Sequence, residues 1–182
     1  MESPINLTGK LLVATPKLRD PCFTHTVILL ISCNGLGATG IVLNRPLKRS
    51  VDNYDLEYKL PTVLDSPVYQ GGPINTDELS VSAWIWHKND RLFELRYNLK
   101  EEDIEALDTE RNEIQIRSFW GHASWGPFQL IAEILNGMWY PVKVGTIFGM
   151  KERGEDLWRA VVEKTNPAML MLNDFPDDPG WN

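Results

Sequence analysis

Two short apolar runs, Val27-Ile28-Leu29-Leu30-Ile31 and Gly40-Ile41-Val42-Leu43, flank Asn34-Gly35-Leu36-Gly37. Asn-Gly tolerates the positive φ of tight turns, so the runs read as the arms of a β-hairpin. The first arm carries no polar residue, the pattern of a strand covered on both faces. Lys10-Leu11-Leu12-Val13-Ala14 is a further run of strand length. Between it and the hairpin lies Pro16-Lys17-Leu18-Arg19-Asp20-Pro21, whose two prolines interrupt any regular ladder and predict a loop.

Downstream, Val68-Tyr69-Gln70 reads as a strand stopped by Gly71-Gly72-Pro73. Leu79 to Trp86 and Leu92 to Tyr97 alternate around Lys88-Asn89-Asp90-Arg91, a second hairpin in which Trp84 and Trp86 share a face. Asn98 is placed to cap a short helix through Leu107, with Glu101 and Glu102 in its first turn. After Pro127, the residues Leu130, Ile131, Ile134, Leu135 and Met138 recur on one helical face, and Gly137 stops the helix. Leu157-Trp158 with Val161-Val162 marks a last helix. Strands come in hairpins with helices inserted late, and βαβ alternation is missing. The class expected is α+β, with a mixed, largely antiparallel sheet. At 182 residues the chain suits one domain over 1–182, with 170–182 as an acidic C-terminal tail.

Eighteen Lys and Arg against 25 Asp and Glu leave a net charge of −7. Nucleic-acid affinity rests mainly on cations facing phosphates, so general DNA or RNA binding is not expected. Residues 1–90 hold eight basic and nine acidic residues, and 91–182 hold ten and 16, so the acidity lies in the second half. The N-terminus Met1-Glu2-Ser3-Pro4 lacks the basic region and apolar core of a signal peptide. Val27 to Ile31 is far shorter than the ~20 residues that cross a bilayer. A cytoplasmic protein without membrane attachment is therefore expected, with Cys22 and Cys33 as reduced thiols. Of the seven Trp, Trp120, Trp125 and Trp139 bracket one unit around Gly121 to Met138.

The sequence offers few groups for chemistry. Cys22 and His25 stand three apart, but no second Cys/His pair has metal-ligand spacing, and neither a metal nor a cofactor is expected. Gly121-His122-Ala123-Ser124-Trp125-Gly126 differs by one residue from the G-x-S-x-G nucleophile elbow, in what reads as a strand–loop–helix context. Gly71-Gly72-Pro73 and Asn34-Gly35-Leu36-Gly37 lack phosphate-loop spacing, although a Gly-Gly turn can form an anion nest. Arg45, at the exit of the hairpin's second strand, suits carboxylate or phosphate recognition, and equally a structural salt bridge.

Four ordered blocks carry a family resemblance. Gly9 to Pro16 with Leu18, Asp20-Pro21 and Phe23 forms the first, and Gly40-Ile41-Val42-Leu43-Asn44-Arg45-Pro46 the second. Tyr69-Gln70-Gly71-Gly72-Pro73-Ile74 is the third. Gly121-His122-Ala123-Ser124-Trp125, Gln129-Leu130, Glu133-Ile134 and Trp139 make the fourth. Almost end to end, the chain resembles the AlgH/YqgE-like proteins (DUF179). It departs from their pattern at His122, where Tyr is usual, and at Phe128, where Gly is common. It departs again at Val81 to Trp84, which has no match to the usual His after Gly-Gly-Pro. The resemblance implies a bacterial cytosolic protein whose strands curl into an open, barrel-like sheet flanked by helices. One member's name records a link to alginate regulation, and the resemblance implies no particular activity.

Two readings follow. In the first, the chain is a non-catalytic binding or regulatory module. Asn44, Arg45, Gly71, Gly72 and Trp125 line its site, and the partner is a small anionic ligand or a protein. In the second it is a hydrolase or transferase using Ser124 or Cys22 with a histidine. Docking of a partner through the Asp174 to Trp181 tail is a third expectation.

Overall fold

The computed structural model describes residues 7–48, 51, 58–89, 92–147 and 149–173. The first hairpin forms as expected, β2 (Val27–Asn34) returning as β3 (Gly37–Val42), with Asn34 opposite Gly37. The turn works differently from the expectation. Asn34 ends the strand and its Oδ1 accepts from the Leu36 N–H at 2.8 Å, an Asx turn, while positive φ falls on Gly37. β1 (Lys10–Ala14) pairs antiparallel with β2. Side chains along these strands point alternately to two faces. Leu11, Val13, Val27, Leu29 and Ile41 enter one core cluster, and Leu12, Ala14, Ile28, Leu30 and Val42 another. Both faces are therefore covered, as the uninterrupted apolar runs require.

Next come α1 (Pro61–Leu64), β4 (Val68–Gln70), β5 (Ile74–His87) and β6 (Leu92–Tyr97). β5 starts five residues earlier than the alternation suggests, and its residues 74–78 are exposed. The β5–β6 turn includes Asp90 and Arg91, which lie outside the described residues. Trp84 and Trp86 do share a face, and both pack on Phe93, with ring centroids 5.6 and 5.4 Å away. α2 (Glu101–Glu105) is shorter than predicted, and Lys100 rather than Asn98 is its N-cap. Asn98 takes a left-handed conformation, and Asp103 accepts from the Lys100 N–H at 2.9 Å.

β7 (Asn112–Trp125) absorbs the predicted loop at 121–125 into a 14-residue strand. Its first part pairs with β5, and its last three residues pair with β3, so one strand joins both hairpins. After α3 (Gln129–Leu135) comes β8 (Trp139–Lys143), paired with β1, and then a 3-10 turn at Val144–Ile147. On α3 the predicted apolar face is confirmed for Leu130, whereas Leu135 is exposed. α4 (Glu155–Thr165) buries Leu157, Trp158, Val161 and Val162, all four of the residues assigned to its stripe. α5 (Ala168–Asn173) takes in residues 170–173, which the sequence assigned to the tail. Residues 174–182 lie outside the described part, and with them the docking expectation for the tail.

Among the described residues the sheet runs β6-β5-β7-β3-β2-β1-β8, with β4 parallel to β7 and every other pairing antiparallel. It is open, with β6 and β8 at its edges. Even so, Phe93 of β6 and Val142 of β8 belong to one core cluster, which α4 closes with Trp158. A sheet whose two edges reach the same core is curled, and the fold is α+β as expected.

Candidate ligand-binding site

Gly71 and Gly72 sit where the loop after β4 crosses β7. The Gly71 N–H donates to Trp120 O at 2.7 Å, and Gly71 O accepts from Val42 N at 2.8 Å. A Cβ on Gly71 would run into Gly121 O, and one on Gly72 into the His122 backbone. From the other side, a Cβ on Gly121 (φ +70) would stand 2.6 Å from Gly72 O and 2.7 Å from Ile74 O. Two main chains in direct contact leave no room for side chains, and that contact explains the glycines.

Asn44 is buried and fully engaged. Its Oδ1 accepts from Val27 N at 2.8 Å, and its Nδ2 donates to His25 O at 2.8 Å and Gly154 O at 2.9 Å. It ties β2, the His25 turn and the start of α4 together. Arg45 follows directly. Its guanidinium donates to Thr24 O at 2.5 Å, and its own carbonyl accepts from Gln70 N. Asn44, Arg45 and Gly71 thus gather at one end of β3. Trp125 lies elsewhere, against Phe23 and Trp139, with its indole N–H on Glu133.

The nucleophile candidates also have definite places. Ser124 is exposed on β7 opposite Thr39, and His122 lies two residues earlier, opposite Ile74. Cys22 is exposed in the turn at 21–25, where its N–H donates to Asp20 Oδ1. The His25 ring lies 4.4 Å from that of Trp158, and its Nδ1 is 3.4 Å from Glu155. Both cysteines are unpaired, and no group of three potential metal ligands occurs among the described residues.

A cleft of about 550 Å³ opens between the loop at 15–19, α3, β8 and α5. Trp139, Tyr140 and Met169 give it apolar walls, and Lys17, Arg19 and Asn166 supply polar groups. Gly137, φ +73 at the end of α3, is held there by Thr15 Oγ1, which donates to its carbonyl at 2.6 Å. No carboxylate lines this cleft among the described residues, in a chain of net charge −7. Sequence reasoning missed it because its walls come from four separated segments. The nearest signal was the pair of cations, Lys17 and Arg19, held between two prolines.

A curled, open, eight-stranded α+β sheet with a glycine crossing at its centre defines a structural class. The AlgH-like family model (DUF179) matches residues 11–169, and the chain belongs to that family. A UPF0301 protein of Streptomyces avermitilis is 35% identical over 97% of this chain and 96% of its own. One of Paracoccus denitrificans is 34% identical over 95% and 97%. Among solved structures, a Corynebacterium diphtheriae protein superposes with a TM-score of 0.70 at 24% identity, covering 96% of this chain and 95% of its own. The AlgH protein from Pseudomonas aeruginosa does so at 0.61 and 22%, covering 98% of each chain. No helix among the described residues is long and apolar enough to cross a membrane.

Proposed function

We propose that this chain is a non-catalytic cytoplasmic binding module whose ligand is a small anion with an apolar body, held in the cleft beside Lys17. The observation that carries the reading is a lining of two cations and aromatic walls without a carboxylate, in an otherwise acidic protein. Binding sites of this kind combine an apolar surface with a few polar groups that orient the ligand. Lys17 and Arg19 would take the anionic group, and Trp139, Tyr140 and Met169 the apolar body. Arg45 supports a second location for the anion, because its guanidinium meets a backbone carbonyl and no carboxylate among the described residues.

Titration with octanoate, with octanol as the uncharged control, tests the reading by calorimetry and thermal shift. Octanoate is expected to bind saturably and octanol far more weakly, and Lys17→Glu to abolish the difference. Loss of binding in Arg45→Glu but not in Lys17→Glu would place the anion at Arg45. Absence of saturable octanoate binding would overturn both locations. Turnover of a 4-nitrophenyl ester that Ser124→Ala or Cys22→Ala abolishes would overturn the non-catalytic reading.

A further inference from the structure

Arg117 lies in the middle of β7, 5% exposed, on the face that carries Phe119. Its guanidinium carbon stands 3.6 Å from the centroid of the Trp84 ring and 5.6 Å from that of Tyr69. One hydrogen bond accompanies it, from Nη2 to Gln115 Oε1 at 3.1 Å. Taking a guanidinium out of water is costly unless counter-charge or acceptors replace its hydration. The indole face repays part of this through cation–π attraction. No carboxylate pairs with Arg117 among the described residues. The charged neighbour felt there is another cation, Arg153, which stands exposed in the segment before α4. Burial lowers the basicity of Arg117, the Tyr69 phenol works against that, and Arg153 adds to it.

The surroundings of this cation carry a second mismatch. The Tyr69 hydroxyl is buried without a hydrogen-bond partner among the described residues, as is the Trp84 indole N–H. Tyr69 is 1% exposed and its ring stacks on Phe119, so its hydroxyl cannot swing into water. Buried polar groups are nearly always paired, and each exception calls for an explanation. Here a cation with donors to spare and a hydroxyl able to donate are unmatched together among the described residues. What they lack in common is an acceptor carrying negative charge.

We propose that Arg117 and Tyr69 form an oxyanion site that takes a phosphate or carboxylate group, with Arg117 and the Tyr69 hydroxyl donating to its oxygens. A planar guanidinium suits either group, because its forked N–H donors match two oxygens at once. The site is independent of the cleft beside Lys17 and shares no residue with it.

Thermal unfolding and calorimetry of the full chain test this with inorganic phosphate and with acetate, each against chloride at matched ionic strength. One of the two anions is expected to stabilise saturably, and whichever binds more tightly identifies the group. Tyr69→Phe removes only an unpartnered hydroxyl, so the variant keeps its stability in chloride. Its anion affinity is expected to fall on the order of tenfold, as for loss of one hydrogen bond to a charged group. Arg117→Met is expected to fold, with an apolar chain on Trp84, and to lose the anion response. A stabilisation that does not saturate, or that persists unchanged in Tyr69→Phe, would overturn the proposal. That variant decides it even if Arg117→Met fails to fold.

Discussion

Trp125 and Trp139 donate to the same atom. Their indole N–H groups reach Glu133 Oε2 at 2.9 and 2.8 Å, while Oε1 accepts from Gln129 at 2.9 Å. The carboxylate on α3 therefore pins the end of β7 to the start of β8. Glu133→Ala would leave two indole donors without acceptors, at about 1–3 kcal/mol each. A loss of about 3 kcal/mol is expected in urea unfolding, with a red shift of the tryptophan emission. Glu133→Gln keeps one acceptor oxygen and is expected to lose about half as much.

Phe128 precedes α3 with φ 61 and the residue is 78% exposed. A left-handed conformation costs a residue with a Cβ about 1–2 kcal/mol, and exposure means the ring gives little back. Phe128→Gly relieves that strain and adds about 0.5–1 kcal/mol of unfolded-state freedom. A net gain of about 0.5–1 kcal/mol is expected, visible as a higher denaturant midpoint with an unchanged slope. Loss of stability would show that the ring is held by something the φ angle does not reveal.

Glu94 on β6 has its carboxyl group held below its usual range. The chief cause is the hydrogen bond from Arg96 Nε at 2.6 Å; burial opposes it, and His87 Nε2 at 2.9 Å assists. Because the folded value lies below the unfolded one, the contribution to stability is complete above about pH 4.3. It fades as pH falls through the folded value. In Arg96→Ala the Glu94 carboxyl resonance is expected to titrate at higher pH. An unmoved midpoint would remove Arg96 as the cause.

Much of this fold was legible from local pattern. The β2–β3 hairpin and the stripe of α4 follow from runs and spacings that few other structures satisfy. The errors came where a residue's job is set by something distant. Asn98 has a good capping side chain, but Tyr58 donates to the carbonyl of the adjacent Leu99, and Glu101 accepts from Leu60 N, so the chain enters α2 two residues later. The segment 121–125 reads as a loop because of Gly121, whereas the glycine serves a crossing with Gly72 that no local window contains. Of the expected site residues, Asn44 and Arg45 are neighbours in one block, and backbone bonds from Val42 N to Gly71 O and from Gln70 N to Arg45 O bring Gly71 beside them. The bonds that engage Asn44 reach residues as distant as Gly154 and leave no periodic trace. Arg117 left no trace either, since a lone arginine in an alternating strand reads as solvent-facing.

The strand order also sets a schedule for synthesis. The β1–β3 meander is complete by residue 42, yet its outer strands find their partners only in β7 and β8, the last of which ends at Lys143. At about 5–20 residues per second, those edges wait about 5–20 s on the ribosome. For that interval the nascent chain displays two apolar strands with unpaired backbone, a template for joining a neighbouring copy. The family's sheet is thus most exposed to mispairing before its second half exists.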